Sequence, residues 1–333
     1  MKELVVISGK GGTGKTSLTA SFAALAPNAA FADCDVDAAD LHLLLAPAVR
    51  QREGFRSGHA ARIRADDCVG CGRCAALCRF DAIAPSTRPG DGGRVFTVDP
   101  GSCEGCGVCV WNCPVRAIDF PEQVCGEWFV SGTRFGPMVH ARLHPGAENS
   151  GKLVSLVREQ ARALAERENR ELVIVDGPPG TGCPVIAALT NAAGVLIVTE
   201  PTVSGAHDLA RVLELAGHFK IATAVCINKW DLNPEQADGI EAAARAAGAT
   251  PVGRVRYDKA ATRAQRQGLT IIEADGGSPG GFALPKTDGS RSGWGEASLP
   301  SRAVLSETGS AATLAGEIRA VWNNWMNLVK ETP

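Results

Sequence analysis

Eight of the chain's twelve cysteines lie between Cys68 and Cys113, in two runs of identical spacing. Residues 65–84 (ADDCVGCGRCAALCRFDAIA) align with 100–119 (PGSCEGCGVCVWNCPVRAID) at an offset of 35, and each copy carries C-x2-C-x2-C-x3-C followed by x-x-x-A-I. In a chain long enough to build its own apolar core, thiols packed this densely point to metal and not to disulfides. Structural zinc sites pair two C-x2-C arms and do not use evenly spaced triplets. A second chemical signal lies at the N-terminus. Gly9-Lys10-Gly11-Gly12-Thr13-Gly14-Lys15-Thr16 fits G-x4-G-K-[ST] directly after the apolar run ELVVIS and before a helix-like stretch. Glycines there let backbone N–H groups converge on phosphate oxygens, and the helix N-terminus adds a favourable partial charge. Lys15 places an ammonium on the β- and γ-phosphates, and the Thr16 hydroxyl can ligate Mg²⁺.

A carboxylate for that Mg²⁺ is available. Asp176 closes the apolar run ELVIVD just before Gly177-Pro178-Pro179-Gly180, a place from which an acid holds the ion through water. The elements that must position these groups are short apolar strands near 3–8, 29–34, 171–176, 194–200 and 221–228. Helical stretches near 15–26, 152–167, 205–218 and 234–247 separate them. This alternation predicts an α/β fold, a mostly parallel sheet covered on both faces. It is interrupted where the composition shifts to Cys, Gly and Pro, so the expected organisation is a first part at 1–59, an inserted small domain at 60–122 (repeats about 60–88 and 94–122) and a second part at 123–274. Residues 275–309, rich in Gly, Ser and Pro, are expected to be a flexible segment. A last helix follows within 310–333; Leu314, Ile318, Val321, Trp325 and Leu328 share one face, which predicts docking on the α/β core.

The 333 residues carry 34 basic against 36 acidic side chains, a net charge of −2, which gives no electrostatic case for nucleic acid or an anionic membrane as partner. No run approaches the ~18 apolar residues of a membrane span, and the short, acidic start MKELVVIS does not fit a secretory signal. A cytoplasmic protein is expected.

Two resemblances sharpen the picture. The cysteine runs resemble those of bacterial two-cluster ferredoxins, in which the fourth Cys of each run ligates the other cluster. That implies two [4Fe–4S] clusters, one on Cys68, Cys71, Cys74 and Cys113, the other on Cys103, Cys106, Cys109 and Cys78. Pro114 follows Cys113 as in ferredoxins, whereas Arg79 follows Cys78; a cation there predicts a raised potential for the second cluster. The loop from Lys10 to Thr16 resembles the deviant Walker A loop of the MinD-like P-loop ATPases. The resemblance covers roughly residues 1–272, including ENSGKLV at 148–154 and GPPGTGCPVIAAL at 177–189, and it matches a subfamily with an inserted two-cluster ferredoxin domain. It implies a P-loop NTPase that binds ATP/ADP through Gly9, Lys10, Gly11, Gly12, Thr13, Gly14, Lys15, Thr16 and Ser17, with Mg²⁺ held by Thr16, Asp35 and Asp176. Lys10 would reach a partner's nucleotide across a dimer interface, as an arginine finger does. Asp35, in the run Asp33-Cys34-Asp35-Val36-Asp37, would orient the attacking water, with Lys10 and Lys15 as the other catalytic groups. Asn228 would contact the adenine. A homodimer, or a heterodimer with a related ATPase, follows from the same likeness, together with an unidentified redox or Fe–S acceptor protein. The function implied is an ATPase that couples hydrolysis and dimer closure to electron transfer; the alternative is an iron–sulfur cluster carrier, against which stands the lack of a C-x-x-C after Cys125.

Overall fold

The computed structural model describes residues 1–90, 92–145, 147, 150–276 and 313–331. Its strands are β1 Lys2–Ser8, β2 Ala29–Asp33, β3 Ala48–His59, β4 Arg62–Ile63, β5 Ile83–Thr87, β6 Arg94–Val98, β7 Ile118–Asp119, β8 Glu122–Gly132, β9 Pro137–Leu143, β10 Leu172–Pro179, β11 Gly194–Thr199, β12 Ala222–Asn228 and β13 Thr250–Val255. The α-helices are α1 Lys15–Leu25, α2 Leu41–Leu45, α3 Arg73–Leu77, α4 Val108–Trp111, α5 Ser150–Arg167, α6 Cys183–Leu189, α7 Val203–Phe219, α8 Pro234–Ala246, α9 Lys259–Arg266, α10 Ile271–Asp275 and α11 Leu314–Glu331.

The chain divides into two compact units. The first comprises Met1–Arg52, Phe129–Ala141 and Ser150–Pro333. It is an α/β structure built on a nine-stranded sheet of order β13-β12-β11-β1-β10-β2-β9-β8-β3. Val5 of β1 lies in parallel register between Val175 of β10 and Val195 of β11. These strands are apolar on both faces because helices cover both; Leu4, Val5, Val6 and Ile7 are all fully buried. The order places the C-terminal ends of β1, β10 and β2 side by side, with Asp176 level with Asp33. That edge is where loops of such sheets bind ligands.

The C-terminal helix docks on this unit. Ile318, Val321 and Trp325 are buried, and Trp322 and Trp325 lie 5.3 and 5.9 Å from the Phe22 ring of α1. Its inward face differs from the sequence expectation at one point: Val329 fills the last core position, and Leu328 is only half-buried. Trp322, a further core residue, sits one helical step from Ile318, so the apolar stripe is wider than a single row. The Gly/Ser/Pro-rich segment lies, from residue 277 onward, outside the described residues. Among the described residues no helix is long and apolar enough to cross a membrane.

The second unit comprises Glu53–Trp128 and Arg142–Asn149. Two antiparallel pairs, β4 with β7 and β5 with β6, hold two short helices, α3 and α4, that follow the third-from-last cysteine of each run. One of its apolar clusters is only Cys68, Val95 and Ala117, with Ile63 and Cys113 against it.

Candidate functional site

The glycine-rich loop runs from the end of β1 into α1. Gly14 caps that helix at φ +90°, and a Cβ there would stand 2.3 Å from Asn228 Nδ2, so backbone conformation and space both demand glycine. Lys15 follows as the first helical residue, 6% exposed. Its Nζ donates to Asp176 Oδ1 (2.8 Å) and stands 3.3 Å from Asp35 Oδ2. The Thr16 hydroxyl donates to Asp176 Oδ2 (2.7 Å) and Thr19 to Oδ1 (3.0 Å). Burial opposes the Lys15 charge, but the Asp176 and Asp35 carboxylates outweigh it and raise its pKa. Lys15, Thr16, Asp35 and Asp176 thus converge on one point. The Thr13 hydroxyl is buried with no partner among the described residues, a cost that a phosphate oxygen would remove. The donor set fits a magnesium nucleotide.

Of the four acidic residues Asp33, Asp35, Asp37 and Asp40 at and beyond the end of β2, Asp35 is the one that pairs with Lys15. Asp33 faces inward: it accepts hydrogen bonds from the Asp35 and Leu41 backbone N–H groups (3.2 and 3.1 Å), and burial and Asp176 push its carboxyl well up. It holds the loop that carries Asp35. Asp37 and Asp40 are exposed. Asp35 itself is raised by burial, against the pull of Lys15.

Lys10 points away from Lys15. Its Nζ pairs with Glu200 Oε1 (2.6 Å) and donates to Ser204 (2.9 Å) and Thr202 (3.3 Å). The other oxygen of Glu200 takes Lys229 Nζ (3.0 Å), which also donates to the Gly12 carbonyl (2.9 Å). Burial works against the Glu200 charge, but the two ammonium partners hold its pKa below the usual carboxylate range. Asn228 ends β12 with both ends of its amide engaged: Nδ2 donates to the Thr13 carbonyl (2.7 Å) and Oδ1 accepts from Lys229 N (3.0 Å). Here it clamps the phosphate loop. Ser17 accepts from Gln265 Nε2, and Gly9 packs so closely on α7 that a Cβ would reach Asp208 Cβ at 2.6 Å. Sequence reasoning missed Glu200, Thr202 and Ser204; the run Thr199-Glu200-Pro201-Thr202-Val203-Ser204 at a strand's C-terminal end was the available signal.

In the second unit the eight cysteines ring two hollows. One is lined by Cys68, Cys71, Cys74 and Cys113 with Val69, Phe96 and Pro114. The other is lined by Cys78, Cys103, Cys106 and Cys109 with Phe80, Glu104 and Val108. Each hollow therefore draws three thiols from one run and the last from the other. The backbone repeats with the sequence: a Cβ on Gly70 would lie 2.3 Å from the Arg94 carbonyl, and one on Gly105 would lie 2.3 Å from that of His59. Among the described residues no three His, Cys, Asp or Glu side chains converge on a single ion; these thiols surround a space instead, as ligands that each cap a different iron must. Burial and the neighbouring thiols push the Cys74 and Cys109 pKa values up, while adjacent backbone N–H groups pull them down. The four-thiol lining, the mostly apolar walls and those N–H donors fit a [4Fe–4S] cluster, whose iron favours the thiolate. Of the remaining cysteines, Cys34 and Cys226 are buried in or beside strands, Cys226 with a thiol pushed up to about 12 by burial and Glu317. Cys125 donates to the Ser57 carbonyl, and Cys183 is exposed at the start of α6.

Comparison with known proteins agrees. The 4Fe-4S dicluster domain family matches residues 61–120. An uncharacterised protein of Methanocaldococcus jannaschii, MJ0578, is 33% identical over 234 residues, covering 69% of this chain and 79% of that protein. A second protein of the same organism, MJ0579, is 28% identical over 241 residues, 70% of this chain and 83% of its own. The fold matches that of the cell division ATPase MinD of Pyrococcus furiosus with a TM-score of 0.52, at 14% identity, over 98% of this chain and 99% of that one. With the phosphate loop closing β1 of a sheet that has the MinD fold and a 4Fe-4S dicluster domain set into the same chain at residues 61–120, the protein belongs to one family with MJ0578.

Proposed function

We propose that the chain is an ATPase whose Mg-ATP hydrolysis, completed by dimer closure, governs electron transfer through two [4Fe–4S] clusters. The observation that carries this reading is the pairing, in one polypeptide, of a convergent Lys15–Thr16–Asp35–Asp176 cradle with two four-cysteine hollows. When bound, the clusters supply one-electron storage; everything else is done by the chain.

Lys15 exchanges its Asp176 partner for the β- and γ-phosphates, which frees Asp176 and Thr16 to hold Mg²⁺. Asp35, on the loop that Asp33 pins, is placed to orient the attacking water. Lys10 must leave Glu200 before it can serve a second nucleotide, so hydrolysis waits on a partner, either another copy or a related ATPase. Charge supplied in trans to the transferring phosphoryl group is then what completes the site. Asn228, by the same reading, reaches the adenine from the edge of the loop it clamps.

The test is anaerobic purification with assay of iron, sulfide and ATP hydrolysis, followed by redox titration with and without nucleotide. Two clusters' worth of iron and sulfide is expected, with potentials or electron-transfer rates that change when ATP or ADP is bound. A colourless protein, or clusters indifferent to nucleotide, overturns the reading.

A further inference from the structure

The internal repeat lets the two cysteine hollows be compared position by position, and their surroundings differ in charge at several of those positions. Val69 beside the Cys68 site corresponds to Glu104 beside the Cys103 site, and Glu104 lines its hollow. Arg73 corresponds to Val108. Because the fourth thiols cross, the residues after them cross as well: Arg116 comes three residues after Cys113, and its counterpart Asp81 three residues after Cys78. The backbone equivalence at Gly70 and Gly105 matches Arg94 to His59. The Arg94 guanidinium lies 5.1 Å from the centroid of Phe96, which lines the Cys68 hollow, whereas His59 stacks on Phe120 at the other. Arg88, half-buried, donates to the Cys68 and Ala65 carbonyls. The Ala117 N–H donates to Cys113 Sγ (3.3 Å); among the described residues Cys78 Sγ accepts no such bond.

The differences at the hollows themselves, Glu104, Arg94 and the bond to Cys113 Sγ, act in one direction. Adding an electron to a four-thiolate cluster makes an already negative group more so, and nearby cations and N–H donors to sulfur favour that state while a carboxylate in the wall opposes it. Arg79, from which the sequence predicts a raised potential at the Cys103 site, does not line that hollow, whereas Glu104 does; the carboxylate is therefore the nearer charge and outweighs it.

We infer that the Cys103–Cys106–Cys109–Cys78 cluster is the low-potential member of the pair and the Cys68–Cys71–Cys74–Cys113 cluster the high-potential one, with Glu104 and Arg94 setting the difference, so that electrons run from the former to the latter. The inference rests on the two-cluster reading above. The step is one electron: the donor site passes from the 1+ to the 2+ state as the acceptor site passes from 2+ to 1+, with no bond made and no proton moved. A low-potential one-electron carrier fills the donor site, and a one-electron acceptor of higher potential empties the other.

Potentiometric titration of the full anaerobic chain, followed by electron paramagnetic resonance, tests this. Two separate one-electron waves are expected; Glu104→Gln raises the lower wave alone, and Arg94→Gln lowers the upper wave alone. A single shared wave, a Glu104→Gln variant that shifts the upper wave, or one that shifts neither overturns the assignment. Glu104 is exposed, so that variant keeps its fold and remains decisive even where Arg94→Gln does not. Iron and sulfide assays on the same samples separate this failure from loss of the two-cluster reading: a shared wave with full iron sinks only the direction, whereas missing iron sinks the reading beneath it.

Discussion

Glu200 is shared by two lysines, and the consequence for Lys10 is quantitative. A half-exposed ion pair is worth roughly 0.5–1 kcal/mol, and under the function proposed above that interaction must be given up before Lys10 can serve a second protomer. Glu200→Gln is therefore expected to lower the protein concentration for half-maximal ATP-dependent self-association by about 2- to 5-fold, as measured by sedimentation; a variant needing more protein would show that Glu200 helps closure. Elsewhere in the same unit His140 accepts or donates one hydrogen bond with Ser131 (3.0 Å) and stacks on Phe129 (4.9 Å) and His42 (6.4 Å). Burial, then His42, lowers its pKa to about 4. A histidine depressed in the folded state binds fewer protons than in the unfolded chain between about pH 4 and pH 6.5, so stability falls as pH falls through that window. Urea melts are expected to lose about 2 kcal/mol from this residue between about pH 7.5 and pH 5. His140→Gln should flatten that part of the pH dependence, and an unchanged slope would assign it to other groups.

Among the elements, α11 shows how a helix distant in sequence becomes part of the core. Trp325 is fully buried against Phe22, with Trp322 edge-on at 6.1 Å. Trp325→Ala is expected to cost about 3–5 kcal/mol, readable as an earlier urea midpoint; a loss below about 1 kcal/mol would mean that the helix is dispensable to the sheet. The central strands were legible because β1, β10 and β11 are continuous apolar runs, which only a sheet covered on both faces requires. β3 was not: in AVRQREGFRSGH only Phe55 and Ser57 are buried, so no apolar period marks it. β13 is broken for the eye by Pro251 and Gly253 although it pairs with β12. At the site, Lys15, Thr16 and Asp176 follow from motif and strand end alone. The choice of Asp35 over Asp33 came from the family resemblance and not from spacing, and the capture of Lys10 by Glu200 depends on side-chain directions that neither encodes.

At the scale of the whole molecule, the two units hold themselves together differently. The sheet unit has a large apolar core drawn from strands and from α1 and α11. The cysteine unit has short elements and small apolar clusters such as Cys68, Val95 and Ala117, too little to stand on burial alone. Removing iron with a chelator under reducing conditions is expected to abolish amide-exchange protection within residues 53–128 while strands β1, β10 and β11 keep theirs. Protection that survives iron loss in the cysteine unit would show that its polypeptide folds unaided. If the metal is structural as well as electronic, oxygen becomes a threat to shape and not only to colour. A breath of air that strips the clusters would leave a chain still able to grip its nucleotide but with its conducting portion melted, and such a half-ruined molecule would squander fuel unless Glu200 kept Lys10 at home.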